Sequence, residues 1–337
     1  MTEPAPVPAA PVLVMAARSA TPWRERLGAA VVAASLAAFV AWMSMDGSGL
    51  AKDFSLPWTA ARHLVAGRDP YAAMQPTGVY PFNVPFYYPL PAAVLSVPLA
   101  FLPATLAGVV FVALSFAIAA AALAREGRER LIILLGFPAV MAATLGQWSP
   151  LLLAATILPV LQVVMPVKPT LGAAVFASRP TWVGAGASAA ILAVSFAIMP
   201  GWVPAWRSAV TSAWSTYTPP VQWAGGAGVL LLTALIWWRD RDARLLAVLA
   251  LAPQLPLFYD QFLVHGVART KREAWILVGA SWIGGLLWAR RAGPAGAGEH
   301  PARGLILASI YLPATVLVAL RHLRPRARGS AVPVHAP

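Results

Sequence analysis

Long apolar runs separated by short charged clusters form the dominant pattern along the chain. The first run covers 28–45, and later runs lie at 87–124 (broken near Pro103), 131–145, 149–167, 170–178, 182–203, 221–238, 245–263, 274–289 and 304–320. Such runs match the ~20 residues that a helix needs to cross about 30 Å of hydrocarbon. Unbroken Leu, Ala and Val favour helices over barrel strands. The pattern predicts an all-α, polytopic transmembrane protein with about nine to eleven crossings, several of them broken or re-entrant.

Arginines at the ends of the apolar runs give the first indication of topology. Three of them (Arg18, Arg24 and Arg26) precede the first run, which places the N-terminus in the cytoplasm by the positive-inside rule. The first run is longer than a signal-peptide core and no cleavage site follows it, so we expect an uncleaved span that delivers Asp46 to the outer face. The remaining clusters lie at 125–130, 239–244, 269–273, 290–291 and 321–328. They cannot all be cytoplasmic if every apolar run is a simple crossing, which leaves the parity of the spans open.

These features divide the chain into three parts. Residues 1–27 are predicted to form a disordered cytoplasmic tail, 28–320 a single transmembrane domain and 321–337 a basic disordered tail. Within the domain, 46–90 reads as an outer loop rich in proline and aromatic residues. Its segment 55–67 predicts a short interfacial helix, capped by Ser55 and ended by Gly67. The aromatic side chains that suit the headgroup belt are Tyr80, Phe82, Phe86, Tyr87 and Tyr88.

Composition supports the membrane prediction and excludes several classes of function. The chain is 59% hydrophobic and 11% charged, whereas soluble domains carry roughly 25% charged residues. Its net charge of +13 lies at the ends of apolar runs, so we predict no nucleic-acid partner. The chain has no cysteine, which excludes disulfides and thiolate metal sites. No motif fits a phosphate-binding loop, a dinucleotide fingerprint, a zinc site or a serine triad, and we predict no cofactor and no metal.

The twelve acidic residues narrow the search for chemistry. Two lie in stretches rich in small residues and are expected to be inert, and six others adjoin Arg or Lys and are expected to form solvated charge clusters (Glu25, Glu126, Glu129, Asp240, Asp242 and Glu273). Four remain: Asp46 can end the first helix, Asp69 precedes Pro70 and favours a turn, and Asp53 can be structural at a helix N-terminus or functional. Asp260 interrupts an apolar run, where an ionised group costs roughly 2.5–3.5 kcal/mol, and is either paired or functional.

Two further polar residues interrupt apolar sequence. Lys168 lies between Pro166 and Pro169, so we expect a broken helix that can present the cation to an anionic ligand. The alternative is a lysine that snorkels to the nearer interface. Gln147, in the sequence GQWS, can bind substrate or simply hydrogen-bond two helices.

Short segments in a fixed order resemble glycosyltransferase family 87. They are DF at 53–54, LVAGRDPY at 64–71, YPLP at 88–91, GQ at 146–147 and KP at 168–169. The family contains mycobacterial mannosyl- and arabinofuranosyltransferases with the type C multi-span architecture. The resemblance implies a polyprenyl-phosphate sugar donor, a lipid or glycan acceptor, and catalysis at the outer face of a bacterial inner membrane. It also implies that the catalytic aspartate of the first outer loop is Asp53. The chain departs from the mannosyltransferase pattern Ser-Pro-x-Ser-Trp-x-His-His, because its late loop reads PLFYDQ at 256–261.

The leading hypothesis is therefore a membrane glycosyltransferase in which Asp53 accepts the proton of the attacking hydroxyl and nearby cations hold the departing phosphate. Two alternatives remain open: a non-catalytic membrane subunit of a larger complex, and a secondary transporter with Lys168 and Asp260 in broken helices. The predicted substrate-binding residues are Lys52, Arg62, Arg68, Gln147, Lys168, Tyr259 and Asp260.

Overall fold

The described part of the protein is helical throughout. The computed structural model describes residues 21–45, 47–79, 81–211, 217–292 and 300–323, and within these ranges β-type pairing is limited to one antiparallel bridge between Thr218 and Gln254. The α-helices are α1 (Trp23–Met43), α2 (Ser55–Val65), α3 (Pro70–Ala73), α4 (Leu90–Ser96), α5 (Ala104–Glu126), α6 (Phe137–Thr144), α7 (Ser149–Ala155), α8 (Pro169–Ser178), α9 (Trp182–Ile198), α10 (Trp202–Thr211), α11 (Arg241–Leu251), α12 (Phe262–His265), α13 (Lys271–Ala292), α14 (His300–Ile306) and α15 (Leu312–Leu323). Segments of 3-10 helix include Lys52–Phe54, Arg128–Leu135, Pro159–Val167 and Ala224–Trp237, and a π-helical segment, Leu307–Tyr311, joins α14 to α15.

Three helices are long and apolar enough to cross a membrane. They are α1, α5 and the continuous helix Ala302–Leu323, and a fourth candidate is the pair α9 and α10, which is bent by 96°. Several other apolar runs are divided among shorter helices: 149–167, for example, forms α7 and a 3-10 segment, whereas 274–289 lies within α13, a single helix of 22 residues. The all-helical class is confirmed, with three or four candidate spans by length and composition among the described residues. The count of nine to eleven crossings stays a prediction.

The helices extend beyond the predicted domain boundaries at both ends. Helix α1 begins at Trp23 rather than Gly28, and α15 continues to Leu323. The prediction of disorder is wrong at these positions because the charged residues there are paired: Glu25 with Arg128, and Arg321 with Asp242. Asp46 and Tyr80 lie outside the described residues.

Helices α1 and α5 pack side by side through small residues. Ala37 and Ala41 are buried on α1. A side chain at Gly108 of α5 would come within 2.1 Å of the Ala51 Cβ atom, so only glycine permits the approach of the chain that follows α1. Because membrane helices associate through such close packing, the pair fixes the direction of α1 against α5. A helix of 21 residues is about 30 Å long, and its two ends meet different parts of the molecule.

At the N-terminal end of α1 lies an ionic cluster, which we define by its residues Glu126, Arg130, Asp240, Arg241, Asp242, Arg269, Glu273 and Arg321. The pair between Glu25 and Arg128 ties α1 to this end. Asp242 accepts from the Arg269 Nε atom at 2.7 Å and from the Arg321 guanidinium at 2.9 Å. The predicted charge clusters are therefore real, but Asp242 is only 4% exposed, so the expectation of a solvated carboxylate is wrong there.

The opposite end of α1 contacts the end of α6, close to where the predicted outer loop begins. The Ser44 hydroxyl donates to the Thr144 carbonyl at 3.0 Å.

The predicted short helix is present as α2, but Ser55 lies in its first turn and makes no cap, because a 3-10 turn precedes the helix. Phe86 and Tyr88 are buried inside the fold, which corrects the expectation that they face lipid headgroups.

Candidate functional site

Asp53 and Gln147 meet although they are far apart in the sequence. The Gln147 side-chain amide donates to the Asp53 carboxylate, and the Asp53 backbone N–H donates to the Leu145 carbonyl at 3.1 Å. Both residues are buried, Asp53 at 8% exposure and Gln147 at 1%. A buried carboxylate needs such partners, because an unpaired charge loses its hydration without compensation.

Local packing explains why these two segments approach. Gly146 has φ +60°, and a Cβ atom at this position would lie 2.7 Å from the Ala51 carbonyl oxygen. On the other side, Phe54 stacks on Phe111 with ring centroids 3.9 Å apart, and Trp148 packs edge-on against the same ring at 4.8 Å. Phe111 of α5 therefore supports the neighbours of both polar residues, and this common support fixes their separation.

Lys168 occupies a break between two helical segments, as the flanking prolines predicted. A 3-10 segment ends at Val167, and α8 begins at Pro169. The Lys168 ammonium donates to the Gln147 side-chain oxygen at 2.7 Å and to the Asp260 carboxylate at 2.6 Å. It also lies 4.8 Å from the centre of the Tyr259 ring, a distance typical of a cation–π contact. The lysine is thus paired inside the protein and does not extend to an interface.

Asp260 reaches Lys168 from the loop between α11 and α12. Pro253 and Pro256 keep this part of the apolar run 245–263 from forming one helix. Phe258 has φ +68°, is fully buried and packs edge-on against Phe137 with ring centroids 5.0 Å apart. Asp260 is 4% exposed, so its pairing with Lys168 is a buried ion pair.

Three of the polar residues follow backbone in the left-handed region. Lys52 (φ +45°) precedes Asp53, Gly146 precedes Gln147, and Phe258 precedes Tyr259 and Asp260. A non-glycine residue in this conformation costs of order 1–3 kcal/mol and persists only where its surroundings fix it. Such strain concentrates at functional sites, and here it occurs at Lys52 and Phe258, next to Asp53 and to the Tyr259–Asp260 pair.

A cavity of about 100 Å³ lies beside Lys168 and Asp260. Its aromatic lining is formed by Tyr87, Tyr88, Trp206, Tyr217 and Tyr259. Asp53 and Gln147 are not among its lining residues; Gln147 is connected to the cavity by its hydrogen bond with Lys168. We name the connected set Asp53, Gln147, Lys168 and Asp260 the polar chain.

The sequence singled out the four residues of the polar chain. It also grouped with them other residues that the structure places elsewhere. Arg62 is exposed and lies over the Trp58 ring at 5.0 Å, and Arg68 is exposed at the end of α2. Neither lines the cavity, and their contact with a substrate stays a prediction, as does that of Lys52. Asp69 accepts from the Tyr71 backbone N–H at 2.8 Å and caps α3, which confirms the predicted turn.

Several aromatic residues of the cavity were not expected there. Tyr87 and Tyr88 were assigned to a headgroup belt, and no pattern in the sequence distinguished Tyr217. The Trp206 indole donates to the Tyr87 carbonyl at 2.9 Å, a contact between residues 119 positions apart. The sequence indicated this site only through polar residues that interrupt apolar runs. Aromatic residues do not interrupt such runs, so they could not be recognised as cavity residues.

The chemistry available at the site follows from its charges. The polar chain contains two carboxylates, one ammonium and one amide, and no group of three potential metal ligands occurs among the described residues. A cation beside aromatic faces can hold an anionic, partly apolar ligand, and a neighbouring carboxylate can accept a proton. Comparison with protein-family models, curated proteins and solved structures gives no match to this chain.

Proposed function

We propose that this chain is a multi-pass membrane glycosyltransferase that moves a sugar from a polyprenyl-phosphate donor to a lipid or glycan acceptor. One observation carries the proposal. Four polar residues from four separate segments are joined by hydrogen bonds beside an aromatic cavity, although a charge in an apolar interior is costly. Aromatic faces suit sugar rings, and Lys168 suits a phosphate.

The topology in this proposal follows from the ionic cluster. Basic residues concentrate at that end of α1 and α5, which places it in the cytoplasm by the positive-inside rule. The polar chain lies toward the other end of α1, where Ser44 contacts Thr144, and so toward the outer face of a bacterial inner membrane. An acceptor outside the cell and a donor in the lipid layer both have access there.

Asp53 is the proposed base. The acceptor hydroxyl takes the place of the Gln147 amide on the Asp53 carboxylate and attacks the anomeric carbon. Its proton passes to Asp53, while the bond from the anomeric carbon to the phosphate oxygen breaks and its electron pair leaves with the phosphate. Lys168 stabilises the charge that develops on this leaving group, and Asp260 holds Lys168 in position.

The experiment compares the two carboxylates. Asp53→Asn keeps the size of the side chain but removes the base, so we expect turnover to fall by about 10²–10⁴-fold with little change in KM. Asp260→Asn leaves Asp53 intact and is expected to raise KM, because Lys168 loses its negatively charged partner. Purified protein in nanodiscs is assayed with radiolabelled polyprenyl-phosphate sugar. If Asp53→Asn keeps wild-type turnover, Asp53 is not the base.

A specific observation favours a second candidate, a non-catalytic membrane subunit. The cavity holds about 100 Å³, whereas ligand pockets usually hold about 300–1,000 Å³. The charge of Lys168 is also balanced by Asp260 within the protein. Binding of polyprenyl phosphate by the wild-type chain separates the candidates: the enzyme binds it, and a subunit whose polar chain is purely structural does not.

A further inference from the structure

A second, larger opening adjoins the aromatic cavity. A groove of about 300 Å³ lies between the 3-10 segment Pro159–Val167, α8, α9 and α10. It shares three lining residues with the cavity: Pro89, Pro169 and Trp206. The two spaces are therefore separated only by this common wall, and Lys168 lies one residue before the wall's Pro169.

The groove opens on an apolar surface. Phe176, which lines it, is 38% exposed, and on the neighbouring helix α9 Val194, Phe196 and Ile198 are 44–50% exposed. On the proposed membrane protein such a surface faces lipid, where exposed apolar side chains carry no cost. A ligand can thus enter the groove sideways from the bilayer.

Two tryptophans form the inner side of the groove. Trp202 and Trp206 share one face of α10, with ring centroids 6.1 Å apart, because residues four apart lie together on a helix. The sharp bend between α9 and α10 turns this face toward α8. Trp202 is 4% exposed, and its indole N–H has no acceptor among the described residues. A carbon–carbon double bond offers it a weak π contact, which a saturated chain lacks.

We propose that the groove binds the prenyl chain of a single-chain prenyl phosphate, whose phosphate contacts Lys168 in the adjoining cavity, with Trp206 as the movable wall between chain and head. The proposal rests on the proposed function, since the occupant is the donor's lipid. Its basis is the continuity of an apolar groove with a cavity that contains a cation. Among the described residues, the Trp206 side chain makes one hydrogen bond, from its indole to the Tyr87 carbonyl, so a small ring movement joins the two spaces.

The test uses farnesyl phosphate with a photoreactive group on its terminal isoprene. After irradiation with the full chain in nanodiscs, mass spectrometry is expected to find adducts between residues 165 and 206. Unlabelled farnesyl phosphate should compete, whereas inorganic phosphate at the same concentration should not. Adducts confined to the other apolar groove, beside α1 and Trp282, would overturn the proposal, as would equal competition by dodecyl phosphate, which has no double bond.

Matched variants locate the chain more sharply. Ala173 is exposed and lines the groove, whereas Ala193 is exposed on the adjacent helix outside it. Ala173→Trp should fill the groove and weaken farnesyl phosphate binding at least tenfold, while Ala193→Trp should bind as the wild type does. Leu192→Trp provides a second filling variant should Ala173→Trp fold poorly. Unchanged binding in the folded filling variants would refute the assignment.

Failure of this inference is distinguishable from failure of the proposed function. Labelling of the groove without any sugar transfer by the wild type supports the lipid site and contradicts the transferase. Sugar transfer that persists at the wild-type rate in Ala173→Trp, without labelling of the groove, supports the transferase and contradicts the site.

Discussion

The ionic cluster and the polar chain are two ways of placing charge inside one helical protein. The cluster contains more carboxylates and guanidinium groups than chain segments. Asp242 by itself contacts three arginines: Arg241, Arg269 and Arg321. In the polar chain, a single ammonium is shared by one amide and one carboxylate, and a cavity adjoins it. The cluster joins helix ends, whereas the polar chain leaves one cation beside an open space.

The contrast between the ionic cluster and the polar chain indicates which charges are candidates for function. Abundant mutual pairing, as in the cluster, satisfies each group and stabilises a junction. A sparse arrangement held by strained turns, as at Lys52 and Phe258, has a cost that stability alone does not explain. Charge density is therefore a poor guide to the site, and the more informative feature is a paired cation that faces a cavity.

The largest expected effect is loss of the central carboxylate of the ionic cluster. Asp242→Ala removes the buried carboxylate shared by Arg269 and Arg321, which among the described residues keep only Asp240 and Glu273 as carboxylate partners, and breaking a buried pair costs about 3–5 kcal/mol. We expect a strong fall in the unfolding temperature, measured by fluorescence-detected size exclusion after heating. Asp242→Asn is the control, since its side-chain oxygen still accepts a hydrogen bond. Its unfolding temperature should lie between those of the wild type and Asp242→Ala. A stable Asp242→Ala protein would show that the cluster does not hold the helix ends together.

The same approach at the polar chain should separate stability from function. Lys168→Met leaves Asp260 unpaired, which we expect to cost about 3 kcal/mol, at the lower end for a broken buried pair, because the cavity admits water. Adding Asp260→Leu removes the stranded charge and should restore stability to within about 1 kcal/mol of the wild type. Binding of farnesyl phosphate should stay absent in both variants. Restored binding in the double variant would mean that Lys168 does not contact the ligand.

The sequence predicted those parts of the molecule that depend on local pattern. Helical class, the break at Lys168 and the turn at Asp69 follow from apolar runs and proline positions, and the structure has each of them. The ends of α1 and α15 were misplaced because ion pairs with distant residues continue these helices. Such partners are not visible in local composition.

The site was predicted in its members but not in its arrangement. Asp53, Gln147, Lys168 and Asp260 stood out as polar residues in apolar surroundings. Their connection depends on the approach at Gly146 and on the shared support of Phe111, which arise only in the folded chain. Arg68 was grouped with them because it is close to Asp53 in sequence, but α2 carries it to an exposed position away from the cavity.

Acid should affect the ionic cluster in a defined direction. Burial raises the pKa of Asp240, but the hydrogen bond from the Asp242 N–H and the charge of Arg269 lower it by more. The pKa of Asp240 is therefore below its usual value. The pKa of Glu273 is also lowered, since burial is outweighed by hydrogen bonds from Arg321 and from backbone N–H groups. Groups of this kind stabilise the fold fully above the unfolded-state pKa of about 4, and the contribution is lost as pH falls through the folded-state pKa.

We therefore expect the unfolding temperature to fall as the pH decreases below about 4, more steeply in the wild type than in Asp240→Asn. The measurement is thermal unfolding in detergent across that range. The Asp240→Asn protein is less stable at neutral pH and should approach the wild type at low pH. Identical slopes for the two proteins would mean that the folded state does not favour ionised Asp240.

The smallest expected effect concerns Asp69, an acid near Asp53 in the sequence that has no part in the polar chain. Its carboxylate accepts from the Tyr71 and Ala72 backbone N–H groups, so Asp69→Ala should cost about 1 kcal/mol, as is usual for loss of a helix cap. Asp69→Asn retains an acceptor oxygen and should be nearly neutral. Both proteins should transfer sugar and bind farnesyl phosphate as the wild type does, because neither Asp69 nor any residue of α3 lines the cavity. The paired measurements are thermal unfolding and turnover. If Asp69→Asn folds normally but loses turnover, the Asp69 carboxylate acts in the reaction. Asp69 would then be a functional acid and not a structural one.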